Sequence, residues 1–182
     1  MRRRVALGAL LSAPVLLPLW APAAQAETAA ELTGLTLRGQ ARFRFYGFTV
    51  YDIRLWSAEA VAAERWADTR LTLELEYLRG FSGKDIAQRS LQEMQRQAPI
   101  SDAQSAAWLA AMQSAFPDVK TGDRLSGQHE PGVAASFYVN GQLRQRIPDA
   151  AFAKLFFGIW LSPKTSEPTL RQQLLGGHAP GA

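Results

Sequence analysis

The stretch Arg70-Leu-Thr-Leu-Glu-Leu-Glu-Tyr-Leu-Arg-Gly-Phe-Ser-Gly-Lys-Asp-Ile86 changes its hydrophobic period partway along, and that change decides the fold. Leu71, Leu73, Leu75 and Tyr77 alternate with Thr72, Glu74, Glu76 and Leu78, the two-residue period of a strand with one apolar face. Gly80 ends it. Ser82 then stands where an N-cap hydroxyl belongs, and Asp85 puts a carboxylate in the first turn of a helix. From Gly83 to Gln97 the spacing is helical. Ile86, Ser90 and Met94 form one line with Ala87 and Leu91 beside it, and Pro99 stops the run. A half-apolar strand feeding an amphipathic helix predicts a sheet with a helical layer on one face.

Working outward gives the same architecture. Toward the N-terminus, Gly34 to Phe45 is strand-like, with Arg42 and Arg44 alternating with Phe43 and Phe45. Gly47 breaks the run. Phe48 to Trp56 follows, rich in β-branched and aromatic residues. Phe48, Val50, Asp52, Arg54 and Trp56 share one face, and the more apolar Tyr51, Ile53 and Leu55 are placed toward the core. Ala58 to Trp66 is expected as a short helix. Toward the C-terminus, Ser101 and Gln104 make a capping box for a helix whose stripe is Trp108, Leu109, Met112 and Phe116. Gly122 to Glu130 and Val133 to Val139 are two strands around Pro131-Gly132. Asn140-Gly141 is a two-residue hairpin signal before Gln142 to Ile147. Asp149 caps an almost wholly apolar helix through Leu161, which must be buried, and Thr169 to Leu175 is a last short helix. The order predicts an α+β fold: an antiparallel sheet with helices on one side.

The 182 residues, 20.0 kDa, suit one domain. With 47% hydrophobic and 20% charged residues the chain is globular in composition. It has no cysteine and only two histidines, His129 and His178, so thiolate sites, disulfides and three-histidine metal sites within the chain are excluded. The chain opens with Met1-Arg2-Arg3-Arg4, runs apolar from Val5 to Trp20 and reaches Ala24-Gln25-Ala26, the pattern of a secretory signal peptide. The expected organisation is a signal peptide over 1–26 and a single domain over 27–182, with a flexible tail from Gly176. Removing Arg2, Arg3 and Arg4 from the 20 basic residues leaves a nearly neutral chain against 16 acidic ones, so the basic isoelectric point does not argue for nucleic acid. The expected location is periplasmic or secreted, with no stable membrane span after cleavage. No phosphate-binding loop, dinucleotide fingerprint, zinc-protease motif or nucleophile elbow is present, and no cofactor or metal is expected.

Three stretches together resemble the chalcone isomerase-like family, most of all its exported bacterial branch. They are Phe45-Tyr-Gly-Phe-Thr-Val-Tyr-Asp-Ile-Arg-Leu-Trp56; Leu73 to Ile86, with Ser82-Gly83-Lys84 between strand and helix; and Asp149 to Leu161 followed by Glu167-Pro-Thr-Leu-Arg171. Gly122-Asp-Arg-Leu125 and Asn140-Gly141 lie between them in the expected order. The resemblance covers about Leu32 to Leu175. It implies an open-faced β-sandwich, a large antiparallel sheet covered on one face by helices. Members of the family close chalcones to flavanones, hold fatty acids between sheet and helices, or have no established activity. Carried over residue by residue, the isomerase's early arginine falls near Gly34, with Arg38 the nearest. Its early threonine falls at Tyr46, its helix tyrosine at Ile86, its asparagine at Glu93 and its last threonine at Leu170, beside Thr169. Most of these positions lack the donor that would hold a phenolate and stabilise an enolate, which weighs against chalcone isomerase activity.

The expected function is therefore a non-catalytic, exported protein binding a small apolar or amphipathic ligand such as a fatty acid. The alternatives are an isomerase or intramolecular lyase using tyrosines and Glu93, and an envelope interaction module with an unknown protein partner. Arg42, Arg44, Tyr46 and Tyr51 are the expected polar anchors; Ile86, Ser90, Phe156 and Trp160 are the expected walls. No catalytic residue is assigned. Glu74 and Glu76 share a strand face that suits solvent, and His129, beside Glu130 at a strand end, makes no dyad by adjacency because strand neighbours point to opposite faces. Gly158 inside the apolar helix costs about 1 kcal/mol of propensity against alanine, which a close approach would explain.

Overall fold

The computed structural model describes residues 29–176. The signal peptide expected over 1–26 and the tail from 177 onward lie outside the described residues. Six strands form one antiparallel sheet in sequence order: β1 (Thr36–Phe45), β2 (Phe48–Ser57), β3 (Leu71–Tyr77), β4 (Arg124–Glu130), β5 (Ala134–Val139) and β6 (Gln142–Ile147). Four helices pack on it: α1 (Gly83–Gln95), α2 (Asp102–Ala115), α3 (Ala150–Leu161) and α4 (Pro168–Leu175). This is the α+β open-faced architecture that the sequence predicts.

Local chemistry sets the helix starts as expected. Ser82 Oγ accepts from the Asp85 amide, Ser101 and Gln104 form the reciprocal capping box, and Asp149 accepts from the Phe152 amide. Asp149 also accepts from Trp108 Nε1 at 2.9 Å, which ties α2 to the start of α3.

Register sorts the side chains between the two faces of the sheet. Toward the helices, Leu55, Leu73, Gly127 and Phe137 stand in one row; Ile53, Leu75 and Leu125 in the next; Phe43, Tyr51 and Tyr77 in the third. The opposite face carries Arg42, Asp52, Glu76 and Arg124 in one row and Arg54, Glu74 and Ser126 in another. Arg54 donates to both Glu74 and Glu76 at 3.0 Å, and Arg124 lies 3.7 Å from Glu74. Glu74 is consequently only 3% exposed on a face that the alternation assigns to solvent. Its neighbours' long side chains roof it over.

Two local expectations are corrected. A bulge near the β1–β2 turn makes Arg44 pair with Thr49 while Phe43 pairs with Tyr51. The extra residue breaks the strict alternation of β2, and Val50 joins Tyr51 on the helix side instead of sharing a face with Asp52. Ala58 to Trp66 is not a helix; a 3-10 turn over Trp66–Asp68 is all the helical structure in this connection. Arginine side chains take its carbonyls instead: Arg38 those of Ser57 and Ala58, Arg171 that of Ala63. Trp66 is buried as its anchor.

The core is aromatic where α3 meets the sheet. Phe137, Phe152 and Phe157 are fully buried, and Phe156 packs its ring 4.8 Å from Phe137 and 5.7 Å from Trp160. α4 runs along β1 so closely that a Cβ at Gly39 would collide with the backbone of Leu174.

Candidate functional site: an apolar cavity between sheet and helices

Near the β1–β2 end of the sheet the core does not close. A cavity of about 330 Å³ opens between β1–β4 and the layer made by α1 and α3. Phe43 and Phe45 from β1, Val50 and Tyr51 from β2, Leu73, Leu75 and Tyr77 from β3, and Leu125 and Gly127 from β4 form its floor. Ile86, Arg89, Ser90 and Glu93 of α1 and Phe156, Ile159 and Trp160 of α3 form the roof, with Ser166 and Glu167 closing one side. The strand period and the helix period converge here: every second residue of β3 and successive turns of α1 face the same space.

The walls are overwhelmingly apolar, and the polar groups are few. Trp160 Nε1 donates to Tyr51 Oη at 3.0 Å, leaving the Tyr51 proton free to donate to an occupant. Tyr77 stands opposite Tyr51 across β2 and β3, their rings 5.8 Å apart and edge-on. Burial pushes both phenols well above the usual tyrosine range, so both are neutral hydrogen-bond donors. Glu93, nearly buried, is held by Arg89 at 2.6 Å and Arg96 at 3.5 Å. Burial raises the Glu167 carboxyl above its ordinary range, Glu93 raises it further, and Arg89 partly offsets them. Ser90 turns its hydroxyl onto the Ile86 carbonyl at 2.8 Å and so presents little polarity to the space.

Of the residues singled out from the sequence, Tyr51, Ile86, Ser90, Phe156 and Trp160 come together around this cavity. Arg42, Arg44 and Tyr46 do not. Arg42 is on the opposite sheet face, where it grips Asp52 with two hydrogen bonds of 2.6 and 2.8 Å. Arg44 is exposed and alternates away from Phe43 and Phe45, which both line the cavity. Tyr46 stands at the hairpin tip, 87% exposed. The alternation in β1 was legible, but an apolar floor needs the phenylalanines, and the arginines must then face the other way. The cation at the cavity is Arg89 instead, and the carboxylate the sequence passed over is Glu167. Arg89 lies seven residues before Arg96 and four before Glu93, a helical spacing that brings it to the Glu93 carboxylate. Glu167 comes from a loop with no periodicity to expose it.

Of the positions that carry donors in true chalcone isomerases, Ile86 and Glu93 are at the cavity, whereas Tyr46 and Leu170 are not among its lining residues. Arg38 is engaged with the carbonyls of Ser57 and Ala58. His129, 1% exposed, packs between Trp66 and Phe157 with Nδ1 3.2 Å from the Thr69 carbonyl, away from the cavity lining.

Sheet, helical cover and an apolar cavity between them define an open-faced sheet-and-helix fold. Comparison with known proteins agrees. A family model described as chalcone isomerase-like matches residues 21–176, and the chain belongs to that family. An uncharacterized protein of Haemophilus influenzae is 31% identical over 138 residues, a match covering 76% of this chain and 66% of the relative. Among solved structures, an Arabidopsis thaliana fatty-acid binding protein superposes with a TM-score of 0.62 at 11% identity, covering 79% of this chain and 87% of the other. At that identity the likeness is one of fold.

Proposed function

We propose that this protein binds a small apolar or amphipathic ligand, fatty-acid-like in form, without transforming it. One observation carries the reading: a cavity of about 330 Å³ stays open beneath α1 and α3, within the size range of ligand pockets, where an interaction module would have closed its core. The Arabidopsis neighbour in fold is a fatty-acid binding protein, which supports the same reading. Tyr51 and Tyr77 supply hydrogen-bond donors for the ligand's polar end. A carboxylate there would meet Glu93 and Glu167, with Arg89 already engaged by Glu93. Carboxylate-headed ligands therefore bind more tightly as pH falls and Glu167 is neutralised, and uncharged heads bind without that dependence.

Native mass spectrometry of protein from its own host, with extraction of whatever is retained, tests this. A defined amphiphile that disappears in Ile86→Trp, a variant that fills the cavity from α1, supports the reading. An empty protein that also fails to bind fatty acids and fatty alcohols on titration sinks it and favours the interaction module. Tyr51, Arg89, Glu93 and Glu167 converge in one cleft, which favours a second reading, an isomerase moving a proton on an enolisable ligand. Solvent deuterium appearing in the extracted ligand, and lost in Glu167→Gln, would establish it. Export rests on the N-terminal sequence alone; N-terminal sequencing of the protein recovered from the host tests cleavage after Ala26.

A further inference from the structure

Among the described residues, five large hydrophobic side chains are exposed, and three of them, Phe45, Tyr46 and Phe48, fall within four consecutive residues. They form the tip of the β1–β2 hairpin, where Phe45 pairs with Phe48 across the turn. Both turn residues are left-handed, Tyr46 at φ 46° and Gly47 at φ 81°. The second such turn in this sheet, Asn140-Gly141 at φ 50° and 82°, uses the residue pair that this geometry prefers. A bulky aromatic in that conformation is strained, and at 87% exposure Tyr46 repays little of the strain. Its ring meets the edge of Phe45, the two centroids 4.5 Å apart.

Three arginines surround the tip, one of which, Arg89, is paired with Glu93 at 2.6 Å. Arg79 lies 5.3 Å from the Phe48 ring and 5.9 Å from Phe81; Arg89 lies 6.0 Å from Phe45; Arg44 is exposed next to it. Phe45 also lines the cavity, so the tip is continuous with the pocket wall. Aromatic rings backed by arginines are what the boundary between headgroups and acyl chains attracts. We propose that the Phe45–Phe48 tip docks into the surface of an anionic lipid bilayer and brings the pocket to the membrane. The docking depends on these side chains alone and stands whatever occupies the cavity.

The absence of cysteine allows a single reporter to be placed at will. Thr49→Cys, labelled with an environment-sensitive fluorophore, reports at the tip while keeping all three aromatics. Lys154→Cys, exposed on α3, reports away from it. On mixed phosphatidylcholine–phosphatidylglycerol vesicles the Thr49 label should shift to the blue and the Lys154 label should not, and salt should weaken the shift. Tyr46→Asn combined with Phe48→Thr should weaken it about tenfold, the equivalent of about 1.4 kcal/mol. Asn-Gly suits the turn, so this variant should melt no lower than the parent. Four results overturn the proposal: no shift at Thr49, an equal shift at both labels, a shift that survives in the double variant, or a concentration-dependent dimer in sedimentation that the double variant abolishes. The last would assign the tip to self-association.

Discussion

Gly83→Ala tests whether close backbone contact sets the position of the cavity's roof. Gly83 opens α1, the helix that carries Ile86, Arg89, Ser90 and Glu93 over the cavity. A Cβ at Gly83 would fall inside the contact distance of the Phe116 carbonyl oxygen and 2.8 Å from the carbonyl carbons of Phe116 and Pro117, where ordinary contact begins at 3.4 Å. These are backbone atoms, so no side chain can swing away, and the start of α1 must separate from the end of α2. That strains the bond from the Gly83 amide to Asp118 at 2.9 Å and the reciprocal pair between Phe81 and Val119 at 3.0 and 2.9 Å. Overpacking costs about 1–3 kcal/mol, and each weakened hydrogen bond adds up to about 1 kcal/mol. The expected loss is about 3 kcal/mol, which for a domain of this size lowers Tm by about 10 °C. Thermal and urea unfolding followed by circular dichroism measure it, with Lys84→Ala, one residue on and exposed, as the silent control. Ligand affinity should fall with it, because the α1 side chains shift together. An alanine variant that melts with the parent and binds equally well would refute the close-contact argument.

Three further outcomes follow from buried polar atoms. Thr72 is fully buried with its hydroxyl unpartnered, so Thr72→Val should stabilise the protein by about 1 kcal/mol in urea unfolding. Tyr51→Phe removes the acceptor for Trp160 Nε1; about 1–2 kcal/mol of stability should be lost, as measured by urea unfolding. Burial holds the His129 ring below its usual range, so protonation favours the unfolded chain. Stability is then complete above the ordinary histidine value of 6.5 and declines as pH falls below it; a Tm profile from neutral to about pH 5 should show this decline in the parent and lose it in His129→Gln.

Apart from the helix expected over Ala58 to Trp66, the strand and helix order, the capping residues and the buried α3 segment were legible in the sequence. They depend on local periods and on residues three or four apart, which the chain carries within itself. Ile86 and Ser90 could be placed on the cavity side by the same logic, since one helical line holds both. The polarity of the site was not legible. Arg42 and Arg44 alternate with aromatics as pocket arginines would, and only the register with β2 and β3 shows that they face away from the helices. Glu74 reads as a solvent carboxylate until Arg54 and Arg124 are brought over it from neighbouring strands. Gly158 offers the same lesson: a Cβ there would strike the Gln97 side chain, which packs from beyond α1 and donates to the Leu155 carbonyl at 2.8 Å.

By itself, then, the sequence determined the six strands and four helices and most of their apolar faces, though not the connection from Ala58 to Trp66 or the face of Val50, because strands and helices follow from short-range spacing and side-chain chemistry. Tertiary structure alone decided that the apolar faces do not quite meet near Tyr51 and Trp160, that Arg89, Glu93 and Glu167 gather there, and that Tyr46 and Phe48 at the β1–β2 tip are left exposed. Each of these depends on residues far apart in the chain, and on a bulge and a turn geometry that shift side chains from one face to the other.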